Sequence, residues 1–380
     1  MKLQQLTLNA DNKEDLLFCS DGFQESEATL VLAFGERTFL EHSQPYSFLK
    51  KRYPNSTIVI CSTSGQISNS GLVENSLVIT ALTFEKTVIK TSQTDIQLNS
   101  DIKSLGNTIK SELFSADLKS ILIISEGSFV NGTELITELN RQTNNSVSIF
   151  GGLAGDEYHF KKTIVGLNAD ASQGKIVAIG FYGEHIHFGF ASEGGWSDFG
   201  PEREVTQSDK NVLYKIGDRF ALDLYKEYLG KYADELPGSS LYFPLSMKED
   251  GHSKPVVRTI LSIDEKNKSM TFAGNIPEGS MVRLMKGNFD KLVDASYQAA
   301  YEIKQHQNKN PQLALLVSCV GRKIVLGNRT EEEIEAVKEV FGPNLLVCGF
   351  YSHGEISPTL DRVSCELHNQ TMTITTLYES

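Results

Sequence analysis

The sequence has 380 residues, of which 40% are hydrophobic and 22% charged, and it carries a formal net charge of −12 with a pI near 5.2. A chain of this length exceeds one ordinary hydrophobic core and predicts two or three domains. The acidic balance argues against a nucleic-acid partner, because nothing would neutralise the phosphates, and against adhesion to an anionic membrane surface. No apolar run approaches the roughly 20 residues of a membrane-spanning helix.

Cysteine usage and the N-terminus indicate the compartment. The five cysteines are scattered without a CxxC pair, and Cys61, Cys319 and Cys348 lie in or beside apolar runs, where cysteine behaves as a small hydrophobe. Residues 1–5 contain no apolar signal core. We therefore expect a reduced, cytoplasmic protein without a cysteine zinc site.

Three stretches share one order of predicted elements: a strand, a loop, a helix and a second strand. Short apolar runs predict the buried strands, and Thr330 to Glu333 predicts a capping box at the start of the third helix. The predicted strand pairs are 29–35 with 57–60, 121–124 with 147–150, and 313–318 with 345–348.

The segments that flank these units have other predicted roles. Residues 1–26 are polar and weakly patterned, which predicts a loosely attached N-terminal lead-in. After the first unit, residues 76–82 and 87–91 are predicted to pair in antiparallel fashion. After the second unit, residues 175–181 and 185–190 are predicted to do the same.

The pattern is interrupted between about residues 200 and 310. Here the sequence predicts a helix at 218–229, two strands at 256–261 and 269–273, and a long helix from Leu292 onward. We interpret this segment as a smaller mixed region between the second and third units.

The repeated units predict the fold class and the position of a site. In each unit the two strands lie about 30 residues apart around one helix, which is typical of a βαβ crossover with parallel strands. The second strand always runs into a glycine followed by Gln66, Asp156 or Glu355. Open α/β sheets bind ligands at the carboxyl ends of their strands, where these turns fall. We predict an α/β fold of repeated βαβ units with additional antiparallel strands. True duplication and independent reuse of a common unit both remain open.

The turns also carry a family resemblance. The motifs are Ile60-Cys-Ser-Thr-Ser-Gly-Gln66, Gly151-Gly-Leu-Ala-Gly-Asp156 and Gly349-Phe-Tyr-Ser-His-Gly-Glu-Ile356, followed by weaker ones at 212–225, 272–279 and 318–322. Taken together in chain order, these motifs resemble those of the FIST family of sensory domains, over about residues 25–375. The chain departs from the family pattern at Ile60, where the family has glycine, and at Gln66, where it has an acid. The resemblance implies a FIST N-terminal domain at 27–217 and a FIST C-terminal domain at 218–378.

The resemblance implies a function as well. The family looks like small-ligand sensors, proposed to bind amino acids or similar compounds. Some members bind haem and sense nitric oxide through a partner histidine kinase or cyclic-dinucleotide enzyme. This chain shows no segment for such an output domain, so we expect a two-domain sensory protein that signals to a separate partner and is not an enzyme. A haem-based nitric oxide sensor, or a hydrolase or transferase, are the alternatives.

The candidate ligand-binding residues lie at the three turns and after the third unit's first strand. A carboxylate such as Glu355, paired with Arg322, could grip the ammonium and carboxylate of an amino acid. The alternative is that these acids cap turns or helix N-termini. The predicted ligand-binding set is Ser62, Thr63, Gly152, Gly155, Asp156, Arg322, Tyr351, Gly354 and Glu355.

Other chemistries are less well supported. The glycines at 151–155 could cradle phosphate, but the acids directly after them would repel it. His185 and His187 could share one strand face, yet no third ligand is near, so we predict no metal site. His353 is the first candidate for a haem ligand, ahead of His159 and His187. Serine–cysteine and serine–histidine neighbours at 318–319 and 352–353 supply nucleophile and base types without a nucleophile elbow.

Overall fold

The structure is a computed structural model that describes residues 1–11, 13–97, 101–157, 159–248, 255–307, 309–358 and 364–380. Its helices are α1 (Arg37–Ser43), α2 (Tyr46–Arg52), α3 (Ile102–Leu113), α4 (Gly132–Thr143), α5 (Ala221–Leu229), α6 (Phe289–His306), α7 (Val320–Leu326) and α8 (Thr330–Phe341). Short 3-10 turns lie at Glu25–Glu27, Gly230–Glu235, Gly238–Tyr242 and Gly327–Arg329. Its strands are β1 (Lys2–Asn9), β2 (Glu14–Cys19), β3 (Leu30–Glu36), β4 (Thr57–Thr63), β5 (Gln66–Ser68), β6 (Gly71–Val73), β7 (Ser76–Thr83), β8 (Val88–Asp95), β9 (Leu118–Ser125), β10 (Ser148–Leu153), β11 (Val165–Leu167), β12 (Lys175–Tyr182), β13 (Ile186–Glu193), β14 (Ser197–Asp209), β15 (Val212–Ile216), β16 (Arg219–Phe220), β17 (Leu245–Lys248), β18 (Val256–Arg258), β19 (Ile260–Asp264), β20 (Ser269–Phe272), β21 (Met281–Lys286), β22 (Leu313–Cys319), β23 (Leu346–Ser352), β24 (Gly354–Pro358), β25 (Cys365–His368) and β26 (Met372–Glu379).

The strands form sheets that we number 1 to 4. Sheet 1 has the order β11-β4-β3-β7-β1-β2, sheet 2 the order β25-β24-β10-β9-β12-β8, and sheet 3 the order β13-β26-β22-β23-β5-β6. Sheet 4 has the order β18-β17-β21-β14-β15-β20-β19, with β16 paired to β15. In sheets 1 to 3 the pairs β3–β4, β9–β10 and β22–β23 are parallel. These pairs are the three predicted units, so the predicted α/β fold with repeated βαβ units and additional antiparallel strands is confirmed.

The parallel strands are buried on both faces, as their continuous apolar runs predict. In β3, Leu30, Leu32 and Phe34 point into a central core, whereas Val31 and Ala33 share a second cluster with side chains of α1 and α2. Sheets 2 and 3 contribute to the same central core, while α3 and α4 cover the outer face of sheet 2, and α6 and α8 that of sheet 3. The period of two along a strand thus separates a central face from a helix-covered face.

Each unit continues beyond its second strand and adds a strand to another unit's sheet. After β4, β5 pairs with β23 of sheet 3 through Gln66↔Phe350 and Ile67↔Gly349. After β23, β24 pairs with β10 of sheet 2, and after β10, β11 pairs with β4 of sheet 1. The three units are therefore joined in a closed ring by backbone hydrogen bonds, which we call the strand-exchange ring.

The two predicted antiparallel pairs do not form. β7 and β8, which hold the pair predicted at 76–82 and 87–91, lie in sheets 1 and 2. β12 and β13, which hold the pair predicted at 175–181 and 185–190, lie in sheets 2 and 3. Strands that are consecutive in sequence usually neighbour each other, which motivated the prediction. Here each short connection crosses from one sheet to the next and ties the units together.

The prediction of a loose N-terminal lead-in is also wrong for residues 2–19. β1 pairs with β7 along its whole length, and β2 pairs with β1. Leu6 is buried in β1, and the buried side-chain amide of Gln5 donates to Thr80 Oγ1 and to the carbonyl of Val347, both at 3.0 Å. Buried glutamines with hydrogen-bond partners interrupt the apolar signal of this strand, so the sequence pattern did not indicate it.

Sheet 4, α5 and the 3-10 turns at Gly230–Glu235 and Gly238–Tyr242 form a smaller domain with its own hydrophobic core. The helix predicted at 218–229 is present as α5. The strands predicted at 256–261 and 269–273 are present as the antiparallel pair β19–β20, while β18 pairs with β17 instead.

Trp196 lies where this smaller domain meets the three-unit core. Its Nε1 donates to the carbonyl of Gln370 at 2.7 Å, and its half-buried ring packs with Leu292 of α6 and Val325 of α7. Gly287, at the end of β21, lies against the same ring. The indole therefore contacts elements of both parts of the molecule.

Candidate functional site

The three turns that follow β4, β10 and β23 meet one another. The backbone N–H of Gly155 donates to the carbonyl of Ser62 at 2.9 Å, and the N–H of Ser64 donates to the carbonyl of Tyr351 at 2.8 Å. The N–H of Tyr351 returns a bond to the carbonyl of Gly65 at 2.9 Å. The carboxyl ends of the parallel strands thus form one hydrogen-bonded surface, because each turn satisfies backbone groups of another.

Five of the predicted site residues form the buried frame of these turns: Ser62, Thr63, Gly152, Gly155 and Gly354. Ser62 Oγ accepts the N–H of Ile164 at 3.0 Å, which fixes the strand that enters sheet 1. A Cβ on Gly155 would lie 2.4 Å from Ser64 Oγ and 2.7 Å from Ser64 N, so only glycine fits there. These residues position the turns, and their side chains are not offered to solvent.

Glu355 does not face a ligand, contrary to the prediction. Its side chain is fully buried, with Oε1 2.7 Å from Ser352 Oγ and Oε2 3.0 Å from Thr371 Oγ1. The N–H of Thr371 also donates to Oε2 at 3.2 Å. Burial raises the pKa of this carboxyl to about 8, because a charge is poorly solvated there, which favours the protonated form.

Asp156 caps its own turn. Its carboxylate accepts the backbone N–H groups of Phe160, Lys161 and Lys162 at 2.8, 2.9 and 2.8 Å. The side chain is buried and lies 3.3 Å from His353 Nε2. The arrangement corresponds to the turn-capping alternative rather than to a ligand contact.

Arg322 does not pair with Glu355, and its guanidinium is fully buried. It forms an ion pair with Glu333 at 2.8 Å and donates to the carbonyl of Gly194 at 2.6 Å. Tyr351 Oη and Ser318 Oγ donate to the other Glu333 oxygen at 2.7 and 3.0 Å. The predicted site residues Arg322 and Tyr351 therefore belong to a closed polar network behind the turns.

This network also overturns the predicted capping box at the start of α8. Glu333 turns inward to Arg322 instead of reaching back to the helix N-terminus. Thr330 Oγ1 donates to the carbonyls of Gly327 and Lys323, at 2.6 and 3.2 Å. A capping-box glutamate and a glutamate that turns into the protein have the same sequence pattern. Only the tertiary partner of the glutamate distinguishes the two arrangements.

His353 does not offer a face to haem. Its buried ring stacks on Phe160 with 4.4 Å between centroids, and Nε2 lies 3.1 Å from the carbonyl of Glu157. Burial lowers the pKa of the imidazole despite the nearby Asp156. A porphyrin at this nitrogen would have to displace both neighbours, so the residues around His353 do not fit the group. Of the other predicted ligands, His187 stacks on Tyr378 at 4.7 Å.

A cleft of about 610 Å³ opens beside the meeting turns, between the first and third units. Ser64 and Gly65 of the first turn, Glu157 of the second, and Lys323 of α7 line it. Ser64, Glu157 and Lys323 each follow directly on a predicted site residue, and Gly65 lies two positions after Thr63. Successive side chains point in different directions both along a strand end and along a helix such as α7, so Arg322 is buried while Lys323 reaches the cleft.

The described residues that line the cleft include one cationic side chain and several carboxylates. Lys323 Nζ donates to the carbonyl of Ser64 at 2.9 Å and contacts Glu74 at 2.5 Å. Glu36 Oε1 accepts the N–H of Asn75 at 2.8 Å. The remaining lining includes the acids Glu157 and Glu331 and the apolar side chains of Leu72, Val320 and Ile324. Neither Glu36 nor Glu331 has an ion-pair partner within the described ranges.

Lys323, Glu36 and Glu74 were not among the residues predicted from the sequence. A signal for Lys323 was present, because it follows directly on Arg322 and α7 begins at the carboxyl end of β22, where ligand sites lie. Glu74 carries no such signal. It reaches the cleft only because β5 and β6 join sheet 3 through the strand-exchange ring.

The fold and the cleft define a class: a mixed α/β protein with an open cleft at the strand ends of a three-unit core. The FIST N domain model matches residues 29–219, and the FIST C domain model matches residues 221–358. The chain therefore belongs to the FIST family, as its turn motifs indicated. FIST domains are associated with the sensing of small ligands in signal transduction.

Comparison with solved structures gives distant likenesses. A cyanuric acid hydrolase from A. caulinodans is 7% identical with a TM-score of 0.35, over 93% of this chain and 91% of that one. A second cyanuric acid hydrolase, described as an evolutionary innovation by structural concatenation, is 7% identical with a TM-score of 0.36, over 100% and 99% of the two chains. These values are too low to carry an argument about activity. No curated protein matches the chain in sequence.

Membrane insertion through a helix has no support in the part of the chain that the structure describes. None of its helices combines the length and the apolar character that a bilayer crossing needs.

Proposed function

We propose that this FIST protein is a cytoplasmic sensor that binds a small amino acid or a similar molecule in the cleft at Lys323 and signals to a separate output protein. The observation that carries the proposal is the position of Lys323, whose ammonium group lies in a cleft of small-molecule size where two of the repeated units meet. A sensor of this family needs such a cleft, and the lysine ammonium group is a natural partner for a ligand carboxylate.

The lining fits a zwitterion better than an anion. Lys323 provides the charge for the ligand's carboxylate, while Glu36 and Glu331 provide carboxylates for its ammonium group. Leu72 and Ile324 offer apolar contact to a short side chain. A purely anionic ligand would find one lysine among several acids, so like-charge repulsion disfavours it.

The proposal includes no catalytic step. Ser318 Oγ and Ser352 Oγ are bound to the buried carboxyl groups of Glu333 and Glu355, and burial raises the pKa of the Cys319 thiol. These groups lie behind the turns instead of in the cleft. For the output, the family suggests a histidine kinase or a cyclic-dinucleotide enzyme, and we keep both as candidate partners.

A thermal-shift screen of the twenty protein amino acids, each tested singly, examines the proposal. A ligand present at 100 times its Kd stabilises the folded protein by about 2.7 kcal/mol, so millimolar binders are detectable. We expect Lys323→Ala to weaken binding at least tenfold, which corresponds to about 1.4 kcal/mol. Lys119→Ala is the matched control, since Lys119 pairs with Glu184 away from the cleft.

Three outcomes contradict the proposal in different ways. If no amino acid stabilises the protein, the ligand class is wrong. If one does and Lys323→Ala binds it equally well, the site is wrong. If the bound compound is consumed over hours, as followed by NMR of the free ligand, the protein is an enzyme and not a sensor alone.

A further inference from the structure

Lys323 is the one lysine among the described residues that line the cleft, and its charge is already shared with a carboxylate of the same chain. Lys323 Nζ lies 2.5 Å from a Glu74 oxygen, and Glu74 lies in the short connection between β6 and β7. The same ammonium donates to the carbonyl of Ser64, which belongs to the first turn. A ligand carboxylate that binds Lys323 must therefore compete with Glu74.

The two partners of Lys323 differ in how firmly they are held. Ser64 is buried, and its backbone is fixed by the bond of its N–H to Tyr351. The Glu74 side chain is 51% exposed. Of the two, only Glu74 can leave Lys323 without breaking the frame of the turns.

The connection that carries Glu74 is exposed, whereas the strand before it is packed. β6 is the outermost strand of sheet 3 and, among the described strands, pairs with β5 through Val73↔Gln66, Leu72↔Ile67 and Gly71↔Ser68. Its Leu72 packs against the hydrophobic cluster to which α8 contributes, while Glu74 and Asn75 are exposed. The N–H of Asn75 donates to Glu36, which also lines the cleft. Exposed connections with few buried contacts open at low free-energy cost, so residues 74–75 can move while β6 stays in place.

We propose that Glu74 is a built-in competitor for the ligand: the ligand's carboxylate replaces Glu74 on Lys323, and the released connection at residues 74–75 is the part of the molecule that changes on binding. This inference rests on the proposed function and adds the regulation of its site. One carboxylate replaces another at Lys323, so the lysine keeps one anionic partner in both states. The ligand's ammonium group then has Glu36 and Glu331 within the same cleft.

The first experiment needs no ligand. Hydrogen exchange of the whole chain is measured by mass spectrometry for the wild type, Glu74→Gln and the control Glu184→Gln, which breaks the Lys119 pair elsewhere. We expect exchange in the peptide that covers residues 71–76 to be several-fold faster in Glu74→Gln only. Unchanged exchange there overturns the proposal, because the ion pair would not be holding the segment.

The second experiment separates competition from a merely structural role. The twenty protein amino acids are titrated against the same three proteins by calorimetry. Exposed ion pairs contribute up to about 1 kcal/mol, so Glu74→Gln is expected to bind up to about fivefold more tightly, whereas a structural role would leave binding unchanged or weaken it. Glu184→Gln should bind as the wild type does.

The outcomes distinguish the two proposals. Equal or weaker binding by Glu74→Gln overturns the competitor role and leaves the proposed function standing. Absence of binding by every protein overturns both. In the wild type, the bound amino acid should speed exchange at residues 71–76, and slower exchange there would show that the segment closes over the ligand, which contradicts the release.

Discussion

Neighbouring residues near the carboxyl ends of the parallel strands have opposite environments, and this decides their roles. Arg322 points into the protein and is neutralised by Glu333, whereas Lys323 points into the cleft. Asp156 caps its turn, and Glu157 lines the cleft. A prediction from motifs identifies the turn but not which of two adjacent side chains is outside, because that depends on the packing of the other two turns.

The Arg322–Glu333 pair is predicted to be important for stability. Both side chains are fully buried, and removing one partner leaves a buried charge without compensation, which costs about 3–5 kcal/mol. We expect Arg322→Ala to lower the free energy of unfolding by about this amount in urea denaturation.

The exposed pair of Arg219 and Glu227 provides the control for that experiment. Arg219→Ala should leave the free energy of unfolding close to that of the wild type, because exposed ion pairs contribute little. A loss of under about 1 kcal/mol for Arg322→Ala as well would show that the buried network relaxes or admits water.

Glu355 is predicted to give the protein a pH-dependent stability. Its folded-state pKa of about 8 lies above the value near 4.5 of a free glutamate, so the folded protein retains a proton that the unfolded chain releases. The stabilisation is complete below about pH 4.5 and is lost as the pH rises to about 8. Glu355→Gln removes this loss, so the stability of the variant relative to the wild type should rise across that range by a few kcal/mol.

Urea denaturation of both proteins at several pH values between 5 and 9 measures the effect. Glu184→Gln, at an exposed glutamate, should parallel the wild type. If the difference between Glu355→Gln and the wild type does not change with pH, then Glu355 is ionised in the folded protein and a charge is accommodated at this buried position.

At the scale of elements, local sequence patterns were sufficient to predict the parallel strands. They were insufficient to predict the exchanged strands that join them from other units. The runs at β3, β9 and β22 are continuously apolar, which predicts strands covered on both faces. β5 and β11 have three residues each, and nothing in so short a segment indicates a partner some 100 to 280 residues away. The cleft was unpredictable for the same reason, since it exists only where exchanged strands bring two units together.

Gly155 is predicted to be essential for the contact between the first two turns. A methyl group there would meet Ser64 at 2.4 Å, and overpacking of this kind costs about 1–3 kcal/mol. Gly155→Ala should lower the midpoint of thermal unfolding and, if the turns separate, weaken ligand binding in the adjacent cleft.

Gly238→Ala is the matched control, because no heavy atom lies within 4 Å of the Cβ that it would add. It should leave the unfolding midpoint within a degree or so of the wild type. Equal effects of the two substitutions would mean that the turns have more freedom than their hydrogen bonds indicate.

At the scale of the whole molecule, the two matched family regions are interleaved. β5, β6 and β13 come from the first region and complete sheet 3, whereas β24 comes from the second region and joins sheet 2, followed by β25. All three sheets of the core also share one central hydrophobic cluster. The two regions are therefore parts of one folding unit.

This interleaving predicts how fragments behave. Residues 1–219 produced alone would expose the edge of β10 and the sheet faces that normally form the central core, so we expect no cooperative unfolding and a tendency to aggregate. Production together with residues 221–380 should restore a soluble complex that elutes as one species. A fragment 1–219 with a sharp unfolding transition of its own would contradict the prediction.

The position of Trp196 has a practical consequence for spectroscopy. The chain contains a single tryptophan, so its intrinsic indole emission comes from one place, where α6, α7 and the end of β21 meet. Helix α7 also carries Lys323 into the cleft. Emission wavelength and quenching therefore monitor the contact between the smaller domain and the helix that lines the cleft, in the unmodified protein and without an added dye.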